Sequence, residues 1–139
     1  MYKKILLAAD GSKNALRAAE EAAKLAVLMP EAMIEVLYVV DQAKAREEVM
    51  RASSQAELEQ NRSRRLEPIL ELLSGRRVPY RSSIVQGDPG PTVVQYAAQN
   101  GIDLIVIGSR GLNALQEFVL GSVSHKVVKR ASCPVLVVK

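Results

Sequence analysis

Short, nearly unbroken apolar runs alternate along this chain with longer amphipathic stretches. Lys4–Ala9 (KILLAA), Met33–Val40 (MIEVLYVV), Asp103–Ile107 and Val135–Val138 contain few polar residues. Runs of that length without strict alternation predict strands buried on both faces. Val78–Gln86 is more polar and predicts a strand at a sheet edge. Between the first two runs, Leu16, Ala19, Ala23, Ala26 and Val27 recur at helical spacing. They predict a helix over 13–29, with Ser12 placed to cap it and Pro30 to stop it. The segment from Gln42 to Ser74 is charged and helix-prone, weakened by Ser53, Ser54 and Asn61. Its first part is expected to be poorly defined. Its second part, about 56–73, is expected to be a firm helix that Gly75 closes and Pro68 kinks or restarts. Pro91 suits the first turn of a helix reaching Asn100-Gly101, and a last helix is expected from about Leu115 to Ala131.

Strands alternating with helices imply parallel strands joined by right-handed crossovers. The expected architecture is one α/β domain over 1–139. It is an open five-stranded parallel sheet in strand order 3-2-1-4-5, with helices on both faces. Ligands of such sheets bind beyond the carboxyl ends of the strands, where the winding direction reverses. That reversal sets the first strand beside the fourth, so Asp10 faces Gly108 across the crevice. An acid there can accept hydrogen bonds from a nucleoside. Asp10-Gly11-Ser12 reads equally well as a turn with a helix cap.

The loop after the fourth strand sharpens this picture. Gly108-Ser109-Arg110-Gly111 is followed, after nine residues, by Gly121-Ser122-Val123-Ser124. Glycines let backbone approach an anion and take φ > 0, and free N–H groups at a helix start then point at the charge. The hydroxyls of Ser122 and Ser124 add donors. Neither GxxxxGK[ST] nor, in the first strand-to-helix turn, GxGxxG occurs. The pattern therefore predicts a phosphate site of another kind.

Composition narrows the alternatives. With four tyrosines, one phenylalanine and no tryptophan, the chain lacks stacking platforms for single-stranded nucleic acid. Its net charge of +4 reads as a mildly basic solvated surface. The densest basic cluster, Arg62, Arg64 and Arg65, is interleaved with Glu57, Glu59 and Glu67. One cysteine, Cys133, excludes an internal disulfide framework and a cysteine-based zinc site. The start of the chain carries no signal-peptide pattern, and no apolar run reaches about 18 residues. A cytoplasmic protein is expected.

Gly108, Gly111, Gly121 and Ser122 fit G-x2-G-x9-G-[ST], and on these residues the chain resembles the ATP-binding members of the universal stress protein family. Lys4–Ser12 is similar to that family's opening strand and D-x-S turn, and Val39-Val40-Asp41 to the end of its second strand. Gly87-Asp88-Pro89 is similar to the turn before its third helix, and Cys133–Val138 to its closing strand. The resemblance implies that Ala8, Asp10 and Val39 hold an adenosine, Val39 through its backbone. Ile107 and Gly108 would flank the ribose, and Gly111, Gly121, Ser122, Val123 and Ser124 would line the phosphates. We add Arg110, by charge and position, as a contact to the outer phosphates. Two departures stand out. Ala8 replaces a proline of some ATP-binding members, and Gly90-Pro91 lacks an acidic residue often found at its second position. The implied cofactor is ATP, with Mg2+ or Mn2+ carried by its phosphates.

Three functions compete. The first is a regulatory ATP-binding protein whose surface changes with occupancy. The second is a slow ATPase or nucleotidyl-transfer enzyme using the same crevice. For it the chain offers Asp10, Asp41, Asp88 and the lone His125, none in a recognisable catalytic motif. The third is a dimeric interaction module that needs no nucleotide. Val135, Leu136, Val137 and Val138 form a bare apolar edge in the expected strand order, a hazard unless covered. Pairing with a second copy would cover it, and the family resemblance also implies homodimers built this way. No membrane partner is expected, and nucleic acid is disfavoured.

Overall fold

The computed structural model describes residues 1–110 and 120–139. Its strands are β1 (Lys4–Ala9), β2 (Met33–Val40), β3 (Tyr80–Gln86), β4 (Leu104–Gly108) and β5 (Val135–Val138). Its helices are α1 (Lys13–Leu28), α2 (Gln42–Arg51), α3 (Gln55–Gly75), α4 (Pro89–Gln99) and α5 (Ser122–Arg130). The strands form one sheet in the order β3-β2-β1-β4-β5, every pair parallel. This is the expected topology. β1 lies at the reversal, with Ile5 opposite Ile34 on one side and Leu104 on the other. At the opposite edge the Asp103 carboxylate accepts the N–H groups of Lys3 and Lys4 at 2.9 and 3.0 Å. Those two bonds, Lys4's foremost, hold its pKa below the ordinary aspartate value.

Strand alternation sorts the core into two layers. Ile5, Leu7, Val36, Tyr38 and Val106 pack beneath α1 and α3. Leu6, Leu37, Val39, Ile105 and Ile107 pack beneath α4 and α5. The buried face of α1 is almost all alanine (Ala15, Ala18, Ala19, Ala22, Ala23, Ala26), so its backbone lies close to the sheet.

The structure corrects several expected boundaries. The segment after β2 is a defined helix, α2: the Asp41 side chain caps it by accepting the Lys44 N–H at 2.7 Å, and Ala45 and Glu48 are buried. Ser54 caps α3 in the same way, through Glu57 N–H at 3.1 Å. Pro68 neither breaks nor restarts α3; it sits on an exposed face, where water can take the carbonyl the missing N–H leaves unpaired. Gly75 does not close the helix by a left-handed turn. That conformation falls at Arg77 (φ 57°), with Val78 N–H returning to the Leu73 carbonyl. α4 starts at Pro89, so Pro91 lies in its first turn as expected. α5 starts at Ser122 rather than Leu115, since Leu120 and Gly121 are not helical; residues 115–119 of the expected helix lie outside the described residues.

The approach of α1 to β4 depends on Gly108. A Cβ there would lie 3.0 Å from the Asn14 Cβ and 3.2 Å from the Asn14 carbonyl carbon and oxygen. Neither partner is a flexible side-chain end. Gly108→Ala is therefore expected to destabilise the protein by about 1–3 kcal/mol. Gly75→Ala, with no atom within 4 Å of the new methyl, should be neutral or stabilising by up to about 1 kcal/mol. Urea denaturation of the two variants beside wild type tests the contrast.

Candidate functional site

Parallel strands bring five carboxyl ends to one edge, and the crevice opens there between β1 and β4. On its first side Asp10 ends β1. Gly11 follows at φ 81°, and Asp10 Oδ1 accepts the Ser12 N–H at 2.9 Å. Ser12 Oγ in turn accepts the Ala15 N–H at 3.1 Å and caps α1. The triplet is a turn with a helix cap, as one reading expected, and it also places a carboxylate at the reversal. Ala8, Val39 and Ile107 belong to, or pack against, the α4–α5 layer, as does Val123. They supply one apolar wall at the carboxyl end of that face.

On the second side the two halves of the glycine motif meet at Ser109. Its carbonyl accepts the Gly121 N–H at 2.8 Å and the Ser124 hydroxyl at 2.9 Å. Ser124 is buried and its hydroxyl also donates to the Gly121 carbonyl at 3.0 Å. The hydroxyl expected as a phosphate donor here bonds within the chain, bridging the two halves of the motif. Ser122 is exposed at the first position of α5. Arg110 is half-buried, its backbone against Gly121. Gly111 lies outside the described residues.

Neither Gly108 nor Gly121 takes a positive φ. Gly121 has φ −60°, and its would-be Cβ lies 3.4 Å from both Arg110 Cα and the Ser109 oxygen. Gly108 is closed off on the α1 side by Asn14, so its lack of a side chain is explained by helix packing on the other face of the sheet.

What separates α5 from the other helices is its uncapped start. Ser12, Asp41 and Ser54 satisfy first-turn N–H groups of α1, α2 and α3. In α4, Pro89 and Pro91 remove two of those groups. α5 has Gly121 at its cap and no side-chain hydrogen bond. Among the described residues no side chain accepts from its leading N–H groups, and the positive end of the helix dipole lies behind them.

A polar cluster that the sequence did not reveal braces the Asp10 side. Glu48, buried on α2, accepts from the Tyr38 hydroxyl at 3.3 Å and from Arg62 Nε at 3.1 Å. Arg65 Nε stands 3.9 Å from the same carboxylate, and the Arg65 side chain passes 3.7 Å from the would-be Cβ of Gly11. Lys44 is half-buried beside this cluster. Burial, then the Arg65 charge, lowers its pKa against the opposing pull of Asp10, Glu48 and Asp41. Interleaved Arg and Glu positions over 57–67 were the available signal, but they read as a solvated face. Asp88 sits at the start of α4 and makes no side-chain cap bond, and His125 is exposed on α5. Among the described residues no group of three or more His, Cys, Asp or Glu could hold a metal ion. No helix among them is long and apolar enough to cross a membrane.

The model of the universal stress protein family matches residues 1–139. The chain belongs to that family. Universal stress protein YxiE of Bacillus subtilis is 32% identical over 154 residues, with both chains covered in full. The solved structure of MJ0577, a universal stress protein of Methanocaldococcus jannaschii, superposes with TM-score 0.85 at 32% identity, covering 100% of this chain and 96% of that one. A universal stress protein family structure from Arabidopsis thaliana, At3g01520 with AMP bound, shares the fold at 24% identity and TM-score 0.70, covering 99% of this chain and 90% of that one.

The Tyr38–Glu48 contact has a titration signature. Burial, chiefly, pushes the Tyr38 phenol up to about 12, with the Glu48 carboxylate adding and Arg65 opposing. The native state thus holds a proton that an unfolded tyrosine releases near pH 10. The associated stability is present below pH 10 and is lost as pH rises toward 12, on the order of 2 kcal/mol. Absorbance titration of the folded protein should show a late phenolate transition that Tyr38→Phe removes. The same variant should flatten the fall in stability between pH 10 and 12.

Proposed function

We propose that this universal stress protein binds an adenine nucleotide, ATP by preference, in the crevice between β1 and β4. The observation that carries the reading is the uncapped N-terminus of α5. Among the described residues no side chain caps it, and Gly121, the exposed Ser122 and Arg110 lie at that end of the helix. In this reading the phosphates lie against Gly121, Ser122, the backbone of Val123 and Ser124, and Gly111. The adenosine lies over Ala8, Val39 and Ile107, with Asp10 and the Gly108 backbone at its flanks. The divalent ion, Mg2+ or Mn2+, rides on the phosphates. The AMP held by the Arabidopsis relative is in keeping with an adenine-nucleotide ligand on this fold. The protein acts as a cytoplasmic regulator that reports nucleotide occupancy to a partner.

The test is direct. Denaturing the purified protein should release ATP, and calorimetric titration with ATP and magnesium should show binding. Gly121→Val forces a branched side chain against Arg110 Cα and the Ser109 carbonyl, and should weaken ATP at least about ten-fold while the fold persists. Wild type that binds neither ATP nor AMP would overturn the reading.

The regulator acts as a homodimer through β5. Leu136 is exposed and Val135, Val137 and Val138 are only partly covered. Ile105 N–H donates to the Pro134 carbonyl and Ser109 N–H to the Val138 carbonyl. By strand alternation Leu136 faces β4 with them, and the Val137 N–H points to the open edge. Val137→Pro therefore removes an outward donor and leaves the ladder to β4 intact. We expect it to convert dimers to monomers with little loss of monomer fold, read by sedimentation equilibrium and circular dichroism. A dimer of unchanged affinity would place the interface elsewhere.

A further inference from the structure

Asn14 is buried, at 5% exposure, in the first turn of α1. An amide is a poor choice there on local grounds: asparagine is a weak helix former, and burying it is costly unless both ends find partners. Both do. Nδ2 donates to Ser109 Oγ at 3.3 Å, and Oδ1 accepts from the Arg17 guanidinium. Arg17 Nε also donates to the Lys139 carbonyl at 3.2 Å, just past β5. Ser109 is the residue on which the loop converges. Its N–H donates to the Val138 carbonyl at 2.7 Å, and its own carbonyl takes the Gly121 N–H and the Ser124 hydroxyl. Gly108 removes the side chain that would otherwise push Asn14 away.

We propose that Asn14 is a positioning residue that fixes the gap between the two sides of the crevice. It lies two residues beyond Ser12, whose N–H is held by Asp10. The Asp10 turn and the Gly121–Ser124 turn are thereby joined through α1 by one side chain. A ligand that touches both sides needs that gap preset; one that touches only the Asp10 side does not. Asn14 thus favours nucleotides over nucleosides without touching either. The ligand consequence rests on the nucleotide reading above, whereas the strut itself does not.

Two readouts keep them apart. In the first, ATP and adenosine are titrated into wild type, Asn14→Ala and Ser109→Ala, with the double variant closing the cycle. Each single variant should weaken ATP about five-fold, the effect of one hydrogen bond, with adenosine unchanged and the double variant no worse than a single. Equal loss for ATP and adenosine, or additive losses, would overturn the positioning role. The second readout needs no ligand. Hydrogen exchange of the Gly121 amide should quicken about five-fold in Asn14→Ala, with exchange in β1 and global stability little changed. Unchanged Gly121 exchange would overturn the strut even if ATP binds. A quickened Gly121 amide in a protein that binds no nucleotide would uphold the strut and sink the nucleotide reading alone. Should Asn14→Ala fold poorly, Ser109→Ala removes the same bond from the half-exposed side and must give the same exchange result.

Discussion

The pairing of β1 with β4 is the contact on which the rest of the molecule depends. These neighbours in space are separated by most of the chain, and their parallel register puts Asp10 and Ser109 at the same edge. The connections from β1 to β3 carry the chain to one edge; the next crosses back past β2 and β1 to β4, and the last continues that way to β5. Helices on the two faces therefore diverge at this point, and their N-termini border a gap that the sheet itself cannot fill. Two unrelated features keep the gap open on the β4 side. α1 comes close enough on one face to require glycine at 108, and the chain folds back on Ser109 so that a side chain at 121 would start in van der Waals contact with Arg110 and Ser109.

Much of this was legible in the sequence because burial on both faces leaves a plain trace. KILLAA and MIEVLYVV admit few readings other than central strands, and their alternation with helices fixes parallel topology through connection handedness. The glycine spacing and the family resemblance located the crevice. The gaps in that reading share a cause: their determinants are long-range. α2 is charged and locally unremarkable, yet Asp41 caps it and Glu48 anchors it to Tyr38 and Arg62. Composition cannot distinguish such a glutamate from a solvated one. Asn14 and Ser109 stand 95 residues apart, and nothing near either announces the other. The reason for one motif glycine was also hidden. Among the described residues positive φ belongs to Gly11, Gly101 and Arg77, while Gly108 answers to the close approach of Asn14, which only the packed structure defines.

The placement of polar groups also bears on binding against turnover. A base or nucleophile needs a lone pair free to reach the reacting atom. At this edge Asp10 Oδ1 is held by its own turn and Asp41 Oδ1 caps α2. The Ser124 hydroxyl shares its one donor between the Ser109 and Gly121 carbonyls. Each is already employed in fixing backbone. Asp88, by contrast, makes no side-chain cap bond and His125 is exposed, while the backbone N–H donors at the start of α5 act through orientation and neither take nor give protons. On the proposed nucleotide reading, such donors hold charge by orientation rather than by proton transfer. The same reading gives occupancy a physical route to the open edge, because Ser109, whose carbonyl takes the Gly121 N–H, donates its own N–H to the Val138 carbonyl.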